Sequence, residues 1–147
     1  MENLTILNRW RSKKRVQKIK IYTDAEISCI AYINVATGEE KIIANPHKLV
    51  PPWNYSVINE QITLNEFNAI YEALKSVDKN TVIEIISDCK SAIEILRKEH
   101  KTHNIRIRHK KQSIHRLIKR ENLKVQFTWV PREENLAGQL LEKRMRG

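Results

Sequence analysis

Three carboxylates sit at the edges of apolar patterns. Asp24 closes residues 18–24 (KIKIYTD), a run in which Ile19, Ile21 and Thr23 face one way and Tyr22 and Asp24 the other. Asp is disfavoured inside strands, so its place at the end of this one calls for a reason. Asp88 follows residues 81–87 (TVIEIIS), an almost continuous apolar run of the kind found in central parallel strands. Glu66 lies at the edge of an apolar helical stripe formed by Phe67, Ile70, Tyr71 and Leu74. Each has an ordinary explanation taken alone. Asp24 reads as a turn residue, Asp88 as a helix N-cap, and Glu66 as the acid of a capping box begun by Thr63. Together they point elsewhere. Asp24 and Asp88 end strands expected to be parallel neighbours, and open α/β sheets bind ligands at those ends. Carboxylates gathered there repel one another unless a cation neutralises them. Hard oxygen donors suit Mg²⁺ or Mn²⁺. Two such ions about 4 Å apart activate a water and stabilise the leaving oxygen of a phosphodiester.

The elements that must position these residues follow from periodicity. Residues 18–24, 27–35 and 40–45 read as a meander of three antiparallel strands, with a turn at Thr37-Gly38. Pro51 and Pro52 break the chain into a loop, and a helix is predicted to start at Thr63. Strand 81–87 comes next, then helices over 90–101 and 104–120, a strand over 123–130 stopped by Pro131, and a last helix over about 135–144. The order βββ-α-β-α-α-β-α, with right-handed crossovers, predicts an α/β fold. Its mixed five-stranded sheet has the first three strands antiparallel and the others parallel, with helices flanking it. The expected organisation is a basic arm over residues 1–17 and one domain over 18–147. Trp129, ending the fifth strand, is expected in the core.

Charge carries the next signal. The 147-residue chain has a net charge of +10, distributed unevenly. Residues 1–20 hold seven Lys/Arg against Glu2, and residues 97–120 hold ten against Glu99, so the remainder is acidic. Two basic blocks around an acidic remainder suit a polyanion partner and a separate carboxylate site. Arg106, Arg108, Lys110, Lys111, Arg116, Lys119 and Arg120, with Arg132 further on, are the candidate nucleic-acid contacts. No apolar run approaches the ~20 residues that span a bilayer, so no membrane partner is expected. A signal-peptide pattern is absent, and residues 1–20 resemble a matrix-targeting segment only loosely. With Cys29 and Cys89 read as reduced thiols, the expected location is cytoplasmic. The five histidines (47, 100, 103, 109 and 115) form no compact metal-ligand pattern. A protein partner for the N-terminal arm stays open.

Four segments in order resemble the ribonuclease H family: IYTDAEISCIAYI its first hairpin, TLNEFNAIYEAL its first helix, VIEIISDCKSAIEIL its fourth strand and next helix, and FTWVPREEN its fifth strand and following loop. The resemblance covers about residues 18–144. It implies a ribonuclease H-like fold and a two-metal endonuclease that cuts the RNA strand of an RNA–DNA hybrid with two Mg²⁺ or Mn²⁺ ions. Carried over, Asp24 would bridge both ions, Glu66 would hold the one near the leaving group, and Asp88 the one that activates water. Basic segment 97–120 falls where some members carry a hybrid-gripping protrusion. The chain also departs from the family. A fourth acid usually opens the last helix; here Asn135-Leu136-Ala137-Gly138-Gln139 puts Gly138 or Gln139 at that place, and Glu133, Glu134 and Glu142 are possible stand-ins. Ala25 replaces a common Gly, and Arg132 occupies a loop where many members have His. The alternative is therefore a catalytically weak or inactive ribonuclease H-like binding module within a nucleoprotein complex.

Overall fold

A computed structural model describes residues 18–44 and 54–146; the basic arm, Pro51, Pro52 and His47 lie outside the described residues. Five strands form one sheet: β1 (Ile19–Ala25), β2 (Cys29–Asn34), β3 (Glu40–Ala44), β4 (Val82–Ser87) and β5 (Lys124–Trp129). Their order is β3-β2-β1-β4-β5. β1 pairs antiparallel with β2, and β2 with β3, whereas β4 runs parallel to both β1 and β5. This is the mixed sheet expected from the sequence.

Four α-helices accompany it: α1 (Tyr55–Lys75), α2 (Lys90–Leu96), α3 (Ile105–Arg120) and α4 (Leu136–Arg146), the last preceded by a 3₁₀ turn at Arg132–Glu134. The main core lies between the sheet and α1–α3, where Phe67, Ile70, Leu74, Ile93 and Ile114 meet Ile21, Ile83 and Ile85, all fully buried. Burying each such side chain contributes about 1.5–3 kcal/mol, which fixes α1 and its Glu66 against β1. On the opposite face α4 sets Ala137 and Leu141 against Cys29 and Ala31. β1 therefore feeds both layers. Ile21, Thr23 and Ala25 are buried on the α1 side, and Tyr22 packs with the α4 cluster.

Several boundaries differ from the sequence expectation, with physical causes. α1 starts at Tyr55, not Thr63, because the Asn54 side chain accepts the Val57 N–H and caps it there. α2 stops at Leu96 rather than continuing to residue 101, where Arg97 closes it and Lys98 turns into the left-handed region at φ 65°. Asn104 accepts the Ile107 N–H and starts α3. Trp129 is 44% exposed rather than core, because β5 is an edge strand and the indole lies at its outer end.

Candidate active site

The starts of α1 and α2 bear directly on the carboxylates. Glu66 stands in the middle of α1, eleven residues after its first, so it caps nothing. The N-cap of α2 is Cys89, not Asp88, and Asp88 holds no cap bond there. Both ordinary explanations for these residues therefore fail. Tyr22 pairs with Ile86 in the parallel ladder, and carrying that register two residues further sets Asp24 beside Asp88 at adjacent strand ends. Glu66 arrives from the α1 layer. Ligand oxygens of Asp24, Glu66 and Asp88 all lie within 4.8 Å of one another, the sole such acidic or metal-binding grouping among the described residues.

Burial and mutual repulsion leave this cluster electrostatically frustrated. Removal from water, then the nearby Asp88 charge, pushes the Asp24 carboxyl up from 3.8 to about 6 against opposing help from the Ala25 N–H and Arg132. Burial raises Glu66 well above its ordinary value, and the Asp24 charge adds to it. Burial also raises Asp88, opposed by Arg132 and the Asn135 amide. Glu66 is 5% exposed, and its Oε2 has no hydrogen-bond partner. A buried carboxylate oxygen without a donor is costly unless something else satisfies it. A divalent cation does so while cancelling the repulsion, so the residues fit a metal centre of hard oxygen donors.

Neighbours hold the cluster in place. The Trp129 indole N–H donates to the Asp88 carbonyl at 3.1 Å, and the Val130 N–H to the Ser87 carbonyl at 3.0 Å. Fully buried Asn135 donates to the Thr23 carbonyl at 2.9 Å and accepts the Ala137 N–H, tying the end of β1 to the start of α4. Asn65 donates to the Glu26 carbonyl at 2.7 Å and accepts from Gln61, which in turn meets Arg106. The sequence reading missed Trp129, Asn135 and Asn65 as positioning groups. Asn135, an N-cap residue type at the start of the last predicted helix, was the available signal; Asn65, flanked by Gln61 and Asn68 on its side of α1, carried none.

Residues 56–144, more than half of the chain, match the family model described as reverse transcriptase-like. The chain belongs to the ribonuclease H family. Solved structures share the fold. Ribonuclease H1 of the halophilic archaeon Halobacterium salinarum superposes with a TM-score of 0.65 at 17% identity, covering 85% of this chain and 94% of that one. The LC11 ribonuclease H1 in complex with an RNA/DNA hybrid gives 0.58 at 18% identity, covering 87% and 99%. The N-terminal ribonuclease H domain of a Mycobacterium tuberculosis protein gives 0.54 at 14%, covering 88% and 96%. No curated protein matches the chain by sequence.

Within this ribonuclease H frame, the candidate fourth-acid positions separate. Gly138 is buried against Asp24, and a Cβ built on it would meet Asp24 Oδ2 at 3.0 Å, so no side chain fits without moving the carboxylate. Gln139 is exposed, and its amide donates to the Glu133 carbonyl at 3.1 Å. Neither position supplies an anion. Gly138→Ala is expected to fold normally, because a carboxylate can swing aside and Ala favours helix. It is also expected to lower any hydrolytic rate by about tenfold by displacing Asp24. Melting curves and kinetics measured side by side check both halves.

The candidate phosphate contacts also divide. Arg108, Lys111, Arg116 and Lys119 line one groove along α3, joined by Lys98 and Lys101 from the preceding loop. Lys110 instead lies over the Tyr71 ring, with its ammonium 4.1 Å from the centroid, and burial lowers its pKa. Arg106 pairs with Glu60 at 3.6 Å and Arg120 with Glu121 at 3.2 Å. Arg132 lines the cleft of the carboxylates themselves. Both cysteines are free, and no helix among the described residues is long and apolar enough to cross a membrane.

Proposed function

We propose that this ribonuclease H-family chain is a divalent-metal-dependent endonuclease that cleaves the RNA strand of RNA–DNA hybrids. The observation that carries the reading is the Asp24–Glu66–Asp88 cluster with its buried, orphaned Glu66 oxygen. These three carboxylates would hold Mg²⁺ or Mn²⁺. When bound, two such ions supply an activated water and neutralise charge at the leaving oxygen. The protein's part is positioning. Asp24 projects from β1, Asp88 from the residue just after β4, and Glu66 from a core-anchored helix. Trp129 and Asn135 fix the backbone on either side of the acids. Arg132, on the cleft rim, is placed to meet a substrate phosphate. Hybrid as the substrate is supported by the relative solved with an RNA/DNA hybrid, whose fold this chain shares.

The basic groove along α3 fits the sequence-independent part of binding. A-form-like duplexes are recognised by backbone and shape, and each phosphate contact steepens the salt dependence by about 0.9. Lys111→Ala with Arg116→Ala is expected to make the log Kd versus log salt slope for hybrid shallower by about 2. Lys110→Ala should leave it near wild type, because that ammonium is occupied by Tyr71. Filter binding across a salt series reads both slopes.

A panel of labelled duplexes tests the reaction itself. With Mg²⁺ or Mn²⁺, fragments should arise from the RNA strand of a hybrid, and not from all-DNA duplex of the same sequence. The non-acidic pair Gly138 and Gln139 favours a second reading, a ribonuclease H-like binding module with little turnover. Tight, salt-sensitive hybrid binding with no fragments under either metal would establish that one instead.

A further inference from the structure

Gly138 and Glu142 stand one turn apart on the same face of α4. Side chains on a helix lean toward its N-terminus, so the side chain of residue 142 covers the surface above Gly138. That surface adjoins the acidic cluster, since a Cβ at Gly138 would lie 3.0 Å from Asp24 Oδ2. An extended Glu side chain spans about one helical pitch of ~5.4 Å. Glu142 indeed lines the same cleft as Asp24, Glu66 and Asp88. The other stand-ins do not. Glu133 and Glu134 are exposed on the 3₁₀ turn, and Gln139 is bonded away to the Glu133 carbonyl; none of the three lines the cleft. The cleft asks for a cation independently of Glu142, because buried Glu66 lines it and leaves one carboxylate oxygen without a partner.

We propose that Glu142 supplies the fourth carboxylate of the divalent-metal site, reaching back over the side-chain-free step at Gly138. The inference rests on the metal-dependent reading above. In this chain the anion lost from the head of the last helix is restored from its next turn. Gly138 is then a requirement of the arrangement, because any side chain there would block the path between Glu142 and Asp24. Glu26, from the β1–β2 turn, lines the cleft as well, but from the hairpin that Asn65 holds at the α1 side. It serves as the internal comparison.

Calorimetric titration of the metal-free protein with Mn²⁺ tests the assignment without relying on turnover. Glu142 is exposed, so Glu142→Gln is expected to fold as wild type, with an unchanged melting curve in chelator. Its affinity for the more weakly held ion should fall by about tenfold, the lower end of losses seen when a group supporting a metal is removed. Glu26→Gln should change it far less. A Glu142→Gln isotherm that superposes on wild type, or a larger loss in Glu26→Gln, would overturn the proposal while leaving the metal site standing. Wild-type Mn²⁺ binding in Asp24→Asn would instead remove the metal site itself, and Glu142's role with it.

Discussion

Asp24→Asn is expected to abolish hybrid cleavage and, in the same protein, to raise the melting temperature measured in chelator. The two effects have one cause. Asp24 lies within reach of both other acids, and its carboxyl is pushed up to about 6 by burial and by Asp88. Replacing it with a neutral isostere removes a buried charge that the metal-free fold tolerates poorly. It also removes a metal ligand, and losing several kcal/mol of transition-state stabilisation slows a reaction by about 10³-fold or more. A structural acid behaves in the opposite way, since its loss destabilises and leaves chemistry untouched. Cleavage assays together with differential scanning calorimetry in chelator separate the two. A destabilised variant that still cuts would remove Asp24 from the site.

The second large effect is the pH dependence of metal-free stability. A carboxyl whose folded-state pKa is raised binds its proton more tightly in the folded protein than in the unfolded chain. Stability from such a group therefore falls as pH rises. For Asp24 the loss accumulates between about 4 and about 6 and is complete above that range. Burial raises Glu66 and Asp88 as well, so their contributions have the same sign. Moving one carboxyl from 3.8 to about 6 corresponds to about 3 kcal/mol at ~1.4 kcal/mol per tenfold change, or on the order of 10 °C for a domain of this size. The clean observable is the difference in melting temperature between Asp24→Asn and wild type in chelator. It should be large at pH 7.5 and shrink toward zero near pH 4. Millimolar Mg²⁺ or Mn²⁺ at pH 7.5 should raise the wild type toward the variant, because an ion that binds only the folded state stabilises it. A difference that is flat with pH would mean that the three acids are not strained together.

Much of this site was legible in the chain. Alternation in residues 18–24 placed Asp24 on the face of Tyr22, opposite Ile21 and Thr23, and the structure keeps that assignment. The apolar run before Asp88 announced a central parallel strand. What stayed hidden was decided by contacts distant in sequence. α1 begins at Tyr55 because the Asn54 side chain caps it, although half of residues 55–62 are polar. Only that early start shows that Glu66 is no capping acid. Trp129 looked like core because it ends a strand read as buried, but β5 is an edge and the indole is spent on the Asp88 carbonyl. Whether Gly138 or Gln139 faced the acids depended on how α4 is rotated against β1. Asn135 sets that rotation by bonding the Thr23 carbonyl, a contact between residues 112 apart. Lys110 belonged to a basic face by charge alone, yet Tyr71 on the neighbouring helix claims it.

A metal centre at Asp24, Glu66 and Asp88 would cut RNA paired with DNA only while its ions are bound. The most direct measurement follows an end-labelled RNA strand annealed to DNA, incubated with the protein in Mg²⁺, in Mn²⁺ and in chelator. Internal RNA fragments that appear with metal, vanish in chelator and are missing with Asp24→Asn are the expected result. Fragments that persist in chelator, or that Asp24→Asn produces at the wild-type rate, would contradict it.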